Sequence, residues 1–204
     1  MNHNEFWRII DEAREEAGGE IREPPLKRLC ALDVPDLMLW KQIFDEYQRL
    51  SYKSLLWAAA YIIQGGCSDD AFDYFRAWLT AQGKLAFLNA LKDPETLAEL
   101  DFVPENTEFE DMIGIAAEAY FCKLKLPPAG REEYRRDYNA YNAELDKYPL
   151  PEEIKAAMAA EVVYHKDIDA EWDENPIALS ALLPFLWVVF GWEEGYGGGI
   201  EDDE

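Results

Sequence analysis

Histidine, cysteine and positive charge are all scarce in this chain of 204 residues. Each shortage removes a class of function. The two histidines are His3, at the frayed start, and His165, in a remote segment. A nucleophile–histidine pair therefore has almost no material to draw on. The three cysteines, Cys30, Cys67 and Cys122, are odd in number, widely spaced and without a CxxC pair. Neither a disulfide framework nor a zinc site is suggested. Cys67 stands just before a helix start, a position that lowers a thiol pKa. Pairing it with His165 would require the fold to join two distant segments, so a packed cysteine is the expectation.

Lys and Arg total 19 against 42 Asp and Glu, a formal net charge of −23. The imbalance is uneven. Residues 1–92 hold 11 basic and 14 acidic residues, net −3, whereas 93–204 hold 8 and 28, net −20. A field of that sign repels phosphate backbones and anionic lipid, so neither nucleic acid nor a membrane surface is an expected partner. Basic protein surfaces and cations are what it attracts.

Other signatures are absent too. Gly197-Gly198-Gly199 follows no strand pattern and lacks a Lys, so it is no phosphate loop. Alternating strand patterns are scarce, and no internal repeat is visible. One long uncharged run exists, Asn175 to Trp192, with 18 residues. A membrane span needs about 20 apolar residues. Pro184 interrupts this run, and its flanks are acidic where an anchor would be basic. It is read as a buried core helix broken at Pro184. The start, Met1-Asn2-His3-Asn4-Glu5, lacks the basic and apolar regions of a signal peptide. A reducing cytoplasm is the expected location.

What the chain does hold is apolar mass: 49% hydrophobic and 14% aromatic residues. That is enough for a chain of this length to bury roughly 70% of its unfolded surface. Helical spacing recurs throughout. Phe6, Ile9, Ile10 and Ala13 lead to a stop at Gly18-Gly19. Asp33-Val34-Pro35-Asp36 reads as a helix start ahead of Leu37, Trp40, Ile43, Phe44 and Tyr47. Leu55 to Gln64 is apolar nearly all round, as in the centre of a bundle. Asp93-Pro94 starts a short helix, and Phe109–Lys123 is amphipathic. The expected fold is all-α, a single-domain non-repeating bundle of about eight to ten helices over residues 1–192. A sub-boundary is placed near 127–130, and 193–204 is expected to be a disordered, acidic, Gly-rich tail. Of the seven tryptophans, Trp40, Trp57, Trp78 and Trp187 fall in core patterns. Trp7, Trp172 and Trp192 are candidates to line a surface groove.

The most distinctive stretch joins two apolar helices through Gly65-Gly66-Cys67-Ser68-Asp69-Asp70. The glycines tolerate the left-handed end of one helix. Ser68 suits the N-cap of the next, and Asp69 and Asp70 fall in its first turn. Phe72, Phe75, Trp78 and Leu79 then share a face. A cap needs one acid or hydroxyl, and here there are three. Gly65, Gly66, Ser68, Asp69, Asp70, Arg76 and Trp78 are therefore the candidate ligand or partner site. The acids lack the spacing of a calcium loop and have no nearby His, so no metal and no cofactor is expected.

These residues also carry a resemblance. Phe6-Trp7-x-x-Ile10-Asp11-x-Ala13 and the long central run from Leu56-Trp57 through Gly65-Gly66-Cys67-Ser68-Asp69-Asp70 to Trp78-Leu79 resemble the bacterial proteins grouped as domain of unknown function 4240. Ala119-Tyr120 and Leu183-Pro184-x-Leu186-Trp187 add weaker similarity, so the resemblance extends over most of the chain. It implies a bacterial, mostly helical, cytosolic protein and no particular activity. The leading functional expectation is a non-enzymatic acidic protein-interaction domain, regulator or immunity-like, with a basic protein as partner. The alternative is a small-ligand-binding protein or enzyme using Ser68, Asp69, Asp70 and Arg76.

Overall fold

Asn2 opens helix α1 (His3–Glu16) through a reciprocal box. Its side chain accepts from the N–H groups of Asn4 and Glu5, and the Glu5 carboxylate accepts from the Asn2 N–H. The computed structural model describes residues 1–19, 25–125 and 131–192. The proposed sub-boundary near 127–130 and the tail 193–204 lie outside the described residues. After α1 come α2 (Leu26–Ala31), α3 (Val34–Ser51), α4 (Ser54–Gln64), α5 (Asp69–Ala81) and α6 (Lys84–Lys92). Two 3-10 helices follow, Pro94–Glu99 and Pro104–Asn106. Then come α7 (Asp111–Lys123), α8 (Arg131–Leu145), α9 (Glu152–Glu161), α10 (Pro176–Leu182) and α11 (Pro184–Phe190). The described residues contain no strand, so the fold is all-α.

The anticipated start signals are used. Asp33 caps α3 by accepting from the Asp36 N–H, with Pro35 in the first turn. Asp93 caps the first 3-10 helix through the Glu95 N–H. Eleven α-helices and two 3-10 helices stand among the described residues, against the eight to ten expected. The excess comes from short pieces such as the six-residue α2, whose length is too small for a periodic signal.

Two aromatic clusters organise the core. Phe6 and Trp7 of α1 meet Trp40 and Tyr47 of α3 and Phe87 of α6, and Phe44 stacks on Trp40, at ring separations of 4.8 to 5.7 Å. Burial holds the Tyr47 hydroxyl well above its ordinary pKa. The second cluster runs from Trp57 of α4 through Phe72, Phe75 and Trp78 of α5 to Phe102 and Phe190. Helix α7 packs on α2, α3 and α5. Beyond the proposed sub-boundary, α8 packs on α7, and α9 packs on α1 and α3. Glu161 of α9 fastens that last contact, accepting from Lys84 and bonding to His3.

The C-terminal run departs from expectation. It does break at Pro184, but it is not a buried helix. Leu179, Leu183 and Leu186 face inward, while Ile177 is 78% exposed, Val188 80%, Phe185 49% and Val189 47%. The reason is length. Each seven-residue helix offers one narrow inward stripe, α11 to α4 and the first 3-10 helix and α10 to α11, and the rest meets water. Trp7 is likewise corrected: it is 1% exposed and belongs to the core, not to a groove.

A carboxylate from elsewhere holds this C-terminal pair. The Glu95 side chain accepts from the Phe185 and Leu186 N–H groups at 3.1 and 2.6 Å, capping α11 from the first 3-10 helix. Glu95→Ala should lower stability by about 1–2 kcal/mol, the range of a lost cap. Urea unfolding measures the loss, and faster amide exchange concentrated in α11 identifies its origin.

Candidate functional site

Helix α4 sets the site. Its inward residues Leu55, Leu56, Ala58, Ala59, Ala60, Ile62 and Ile63 are all buried. Trp57 and Tyr61, four residues apart, share the remaining face and are only partly covered. The Trp57 indole N–H donates to the Cys67 carbonyl at 2.9 Å, pinning the joint against the helix that precedes it. Gly65 ends α4 with φ 70° and ψ 24°, and the Gly66 N–H closes back on the Tyr61 carbonyl at 3.0 Å. A Cβ on Gly65 would lie 3.7 Å from Trp192, an ordinary contact, so glycine is required here by backbone conformation.

The polar residues after the turn each have a task. Ser68 accepts from the Ala71 N–H at 3.2 Å and caps α5. Asp69 accepts from the Tyr52 hydroxyl at 2.8 Å. Asp70 is exposed in the first turn, where its charge complements the helix dipole. Arg76 is 4% exposed and turned away from that turn. It pairs with Asp73, donates to the Gln48 carbonyl at 2.5 Å, and lies 4.7 Å from the Tyr52 ring centre and 4.8 Å from that of Phe72. Burial lowers its pKa to about 10 despite the nearby Tyr52 and Asp69. Trp78 is packed between Phe75 and Phe102. The structure thus brings Gly65, Gly66, Ser68 and Asp69 together, links Arg76 to them through Tyr52, and turns Trp78 into the core.

Cys67 is buried beside this turn. Desolvation, and secondarily the Glu108 charge, pushes its thiol up to about 12, opposite to the lowering that a helix start alone suggests. His165 does not serve it: its Nδ1 accepts from the Asp167 N–H. Sequence spacing gave no hint that Cys30 would lie near Cys122, yet α2 packs on α7, and burial first and the neighbouring Cys122 second hold the Cys30 thiol above its ordinary pKa. Among the described residues no group of three His, Cys, Asp or Glu side chains is placed to hold a metal ion.

The same exposed face of α4 also meets residues outside the joint. Tyr61 touches Trp172 at 5.4 Å and Trp192 at 6.1 Å, and Trp187 touches Trp192 at 5.4 Å. Trp172 and Trp192 therefore do reach a partly open surface. Trp57 and Trp187, read as core, are only half-buried beside them. One pocket of about 340 Å³ forms between Gly65, Glu105, Glu108, Phe190 and Trp192. A second, of about 380 Å³, forms between Glu171, Trp172, Asp173 and Leu182. A third, of about 540 Å³, lies apart beside Asp11, Arg14 and Gly83 at the start of α6. The acids lining these pockets could not be singled out from 42 by sequence; only the tryptophans were a signal.

Together these features define an all-α protein built around a glycine-terminated central helix and its aromatic face. No helix among the described residues is long and apolar enough to cross a membrane. The chain belongs to the family described as a protein of unknown function, DUF4240, whose profile matches residues 1–121. That span contains the N-terminal and central stretches and Ala119-Tyr120, while Leu183–Trp187 lies beyond it. No curated protein and no solved structure matches the chain.

Gly65→Ala should cost about 1–2 kcal/mol, the penalty of a left-handed L-residue, measured by urea unfolding. The Cys67 thiol gives a pH test. Its folded pKa is raised above the ordinary 9, so the associated stability is fully present below pH 9 and lost as pH rises toward about 12. Cys67→Ala should flatten the decline across that window relative to the parent chain.

Proposed function

We propose that this chain is a non-enzymatic protein-interaction domain of the bacterial cytoplasm, a regulator or immunity-like protein, and that its partner is a basic protein. The observation that supports this reading best is the one-signed charge around an exposed apolar face. Helix α11 packs on α4 and the first 3-10 helix, and α10 packs on α11; these elements belong to the segments 54–75, 93–122 and 167–192. They hold three, nine and five acids respectively and no Lys or Arg of their own; Asp73, Asp167 and Asp169 are paired with Arg76, Lys166 and Lys53 from just outside them, and the other acids are in no ion pair among the described residues. Ile177, Phe185, Val188 and Val189 sit exposed in this setting. Exposed apolar residues rimmed by charge are what protein partners bury.

The alternative, a small-ligand or catalytic site on Ser68, Asp69, Asp70 and Arg76, has less support. Ser68 and Asp69 already have partners, and the guanidinium is sequestered between Asp73, the Gln48 carbonyl and two rings. The immobilised chain should retain a basic protein from host lysate at low salt and release it on a wash near physiological salt. Charge-steered complexes weaken as screening rises. Retention of only neutral or acidic proteins, or a complex indifferent to salt, would sink the reading.

A further inference from the structure

Tyr61 touches two indoles, and each indole walls its own pocket. Trp192 does so beside Glu105 and Glu108, and Trp172 beside Glu171 and Asp173. None of these four carboxylates is in an ion pair with any described residue; Asp173 accepts only the Asn175 N–H. An aromatic face next to uncompensated carboxylates is an environment that selects an ammonium or guanidinium group. The volumes, about 340 and 380 Å³, suit single side chains better than a folded element.

Two buried polar atoms at the first pocket refine the chemistry. Thr107 gives its hydroxyl proton to the Pro104 carbonyl, so it accepts from Gln64, and the Gln64 amide presents its Nε2 there. Among the described residues, Gln64 Oε1 is then left without a donor, and the Trp192 Nε1–H without an acceptor. A metal ion or a free amine brings no acceptor. A peptide brings both a cationic side chain and a backbone carbonyl.

Resting on the interaction reading above, we infer that these two pockets are the docking site for one basic segment of the partner protein, with an Arg or Lys side chain entering each. A second copy of this chain would set acids against acids at a two-fold contact. The segment 193–204 has six acids and no Lys or Arg, so it supplies no cation.

Hexa-arginine titrated into the full chain, followed by calorimetry and tryptophan emission, tests the assignment. Binding should perturb the emission and weaken by about tenfold in Glu105→Gln/Glu108→Gln, the scale of a lost charge-assisted contact. Asp146→Asn/Glu153→Gln removes the same charge from exposed positions outside both pockets and should change affinity less than about twofold. Trp192→Phe keeps a ring but loses the N–H, and should weaken binding without altering the melting curve. Equal losses in the two double variants would overturn the site while leaving the interaction reading intact, because binding would then follow net charge alone. If neither hexa-arginine nor any basic lysate protein binds, both fall. A dimer in sedimentation that Trp172→Ser dissolves would also overturn it, making a second copy the occupant.

Discussion

Helix α4 has no polar side to give to water, and much of the structure answers that constraint. Seven of its eleven residues are buried apolar side chains. A helix of this kind must be covered on several sides at once, because leaving a large aliphatic side chain exposed forgoes about 1.5–3 kcal/mol. Helix α5 covers one side, and α11 with the two 3-10 helices covers others. Trp57 and Tyr61 mark the edge where coverage is incomplete. That edge is where Trp172, Trp187 and Trp192 gather and where two of the pockets open.

The joint after α4 shows why a polar-rich motif need not be a reaction centre. Three oxygen-bearing residues after a glycine pair exceed what a cap requires, but each acts on a different neighbour. Ser68 satisfies an orphan amide of α5, Asp69 holds the Tyr52 hydroxyl, and Asp70 faces the positive end of the helix. Arg76 ties the same corner from below through Asp73, Gln48 and the two rings. Burying a guanidinium is unfavourable unless its hydrogen bonds and charge are met; here Asp73 and the Gln48 carbonyl meet the two terminal nitrogens, while Nε has no partner among the described residues.

Charge and packing converge on the neighbouring aromatic edge, whose Trp192 pocket Gly65 also lines. The basic residues lie elsewhere in the chain, and the segments framing α10 and α11 carry none. An aromatic wall in a field of unpaired carboxylates favours a cation that also brings apolar surface. A basic protein segment has both.

Much of this was legible in the residues themselves. Asp33, Ser68 and Asp93 act as the caps their types indicate, and Gly65 takes the left-handed turn that closes α4. These are local effects, set within a few residues, and so sequence alone determined the helical class, the break at Pro184 and the central joint. Tertiary structure decided what each apolar or charged side chain meets. It buried Trp7, left Val188 in water, raised the Cys67 thiol instead of lowering it, brought Cys30 to Cys122, and picked Glu105, Glu108, Glu171 and Asp173 from many equivalent acids. Solvation and electrostatic environment depend on neighbours far apart in the chain, and no local pattern encodes those neighbours.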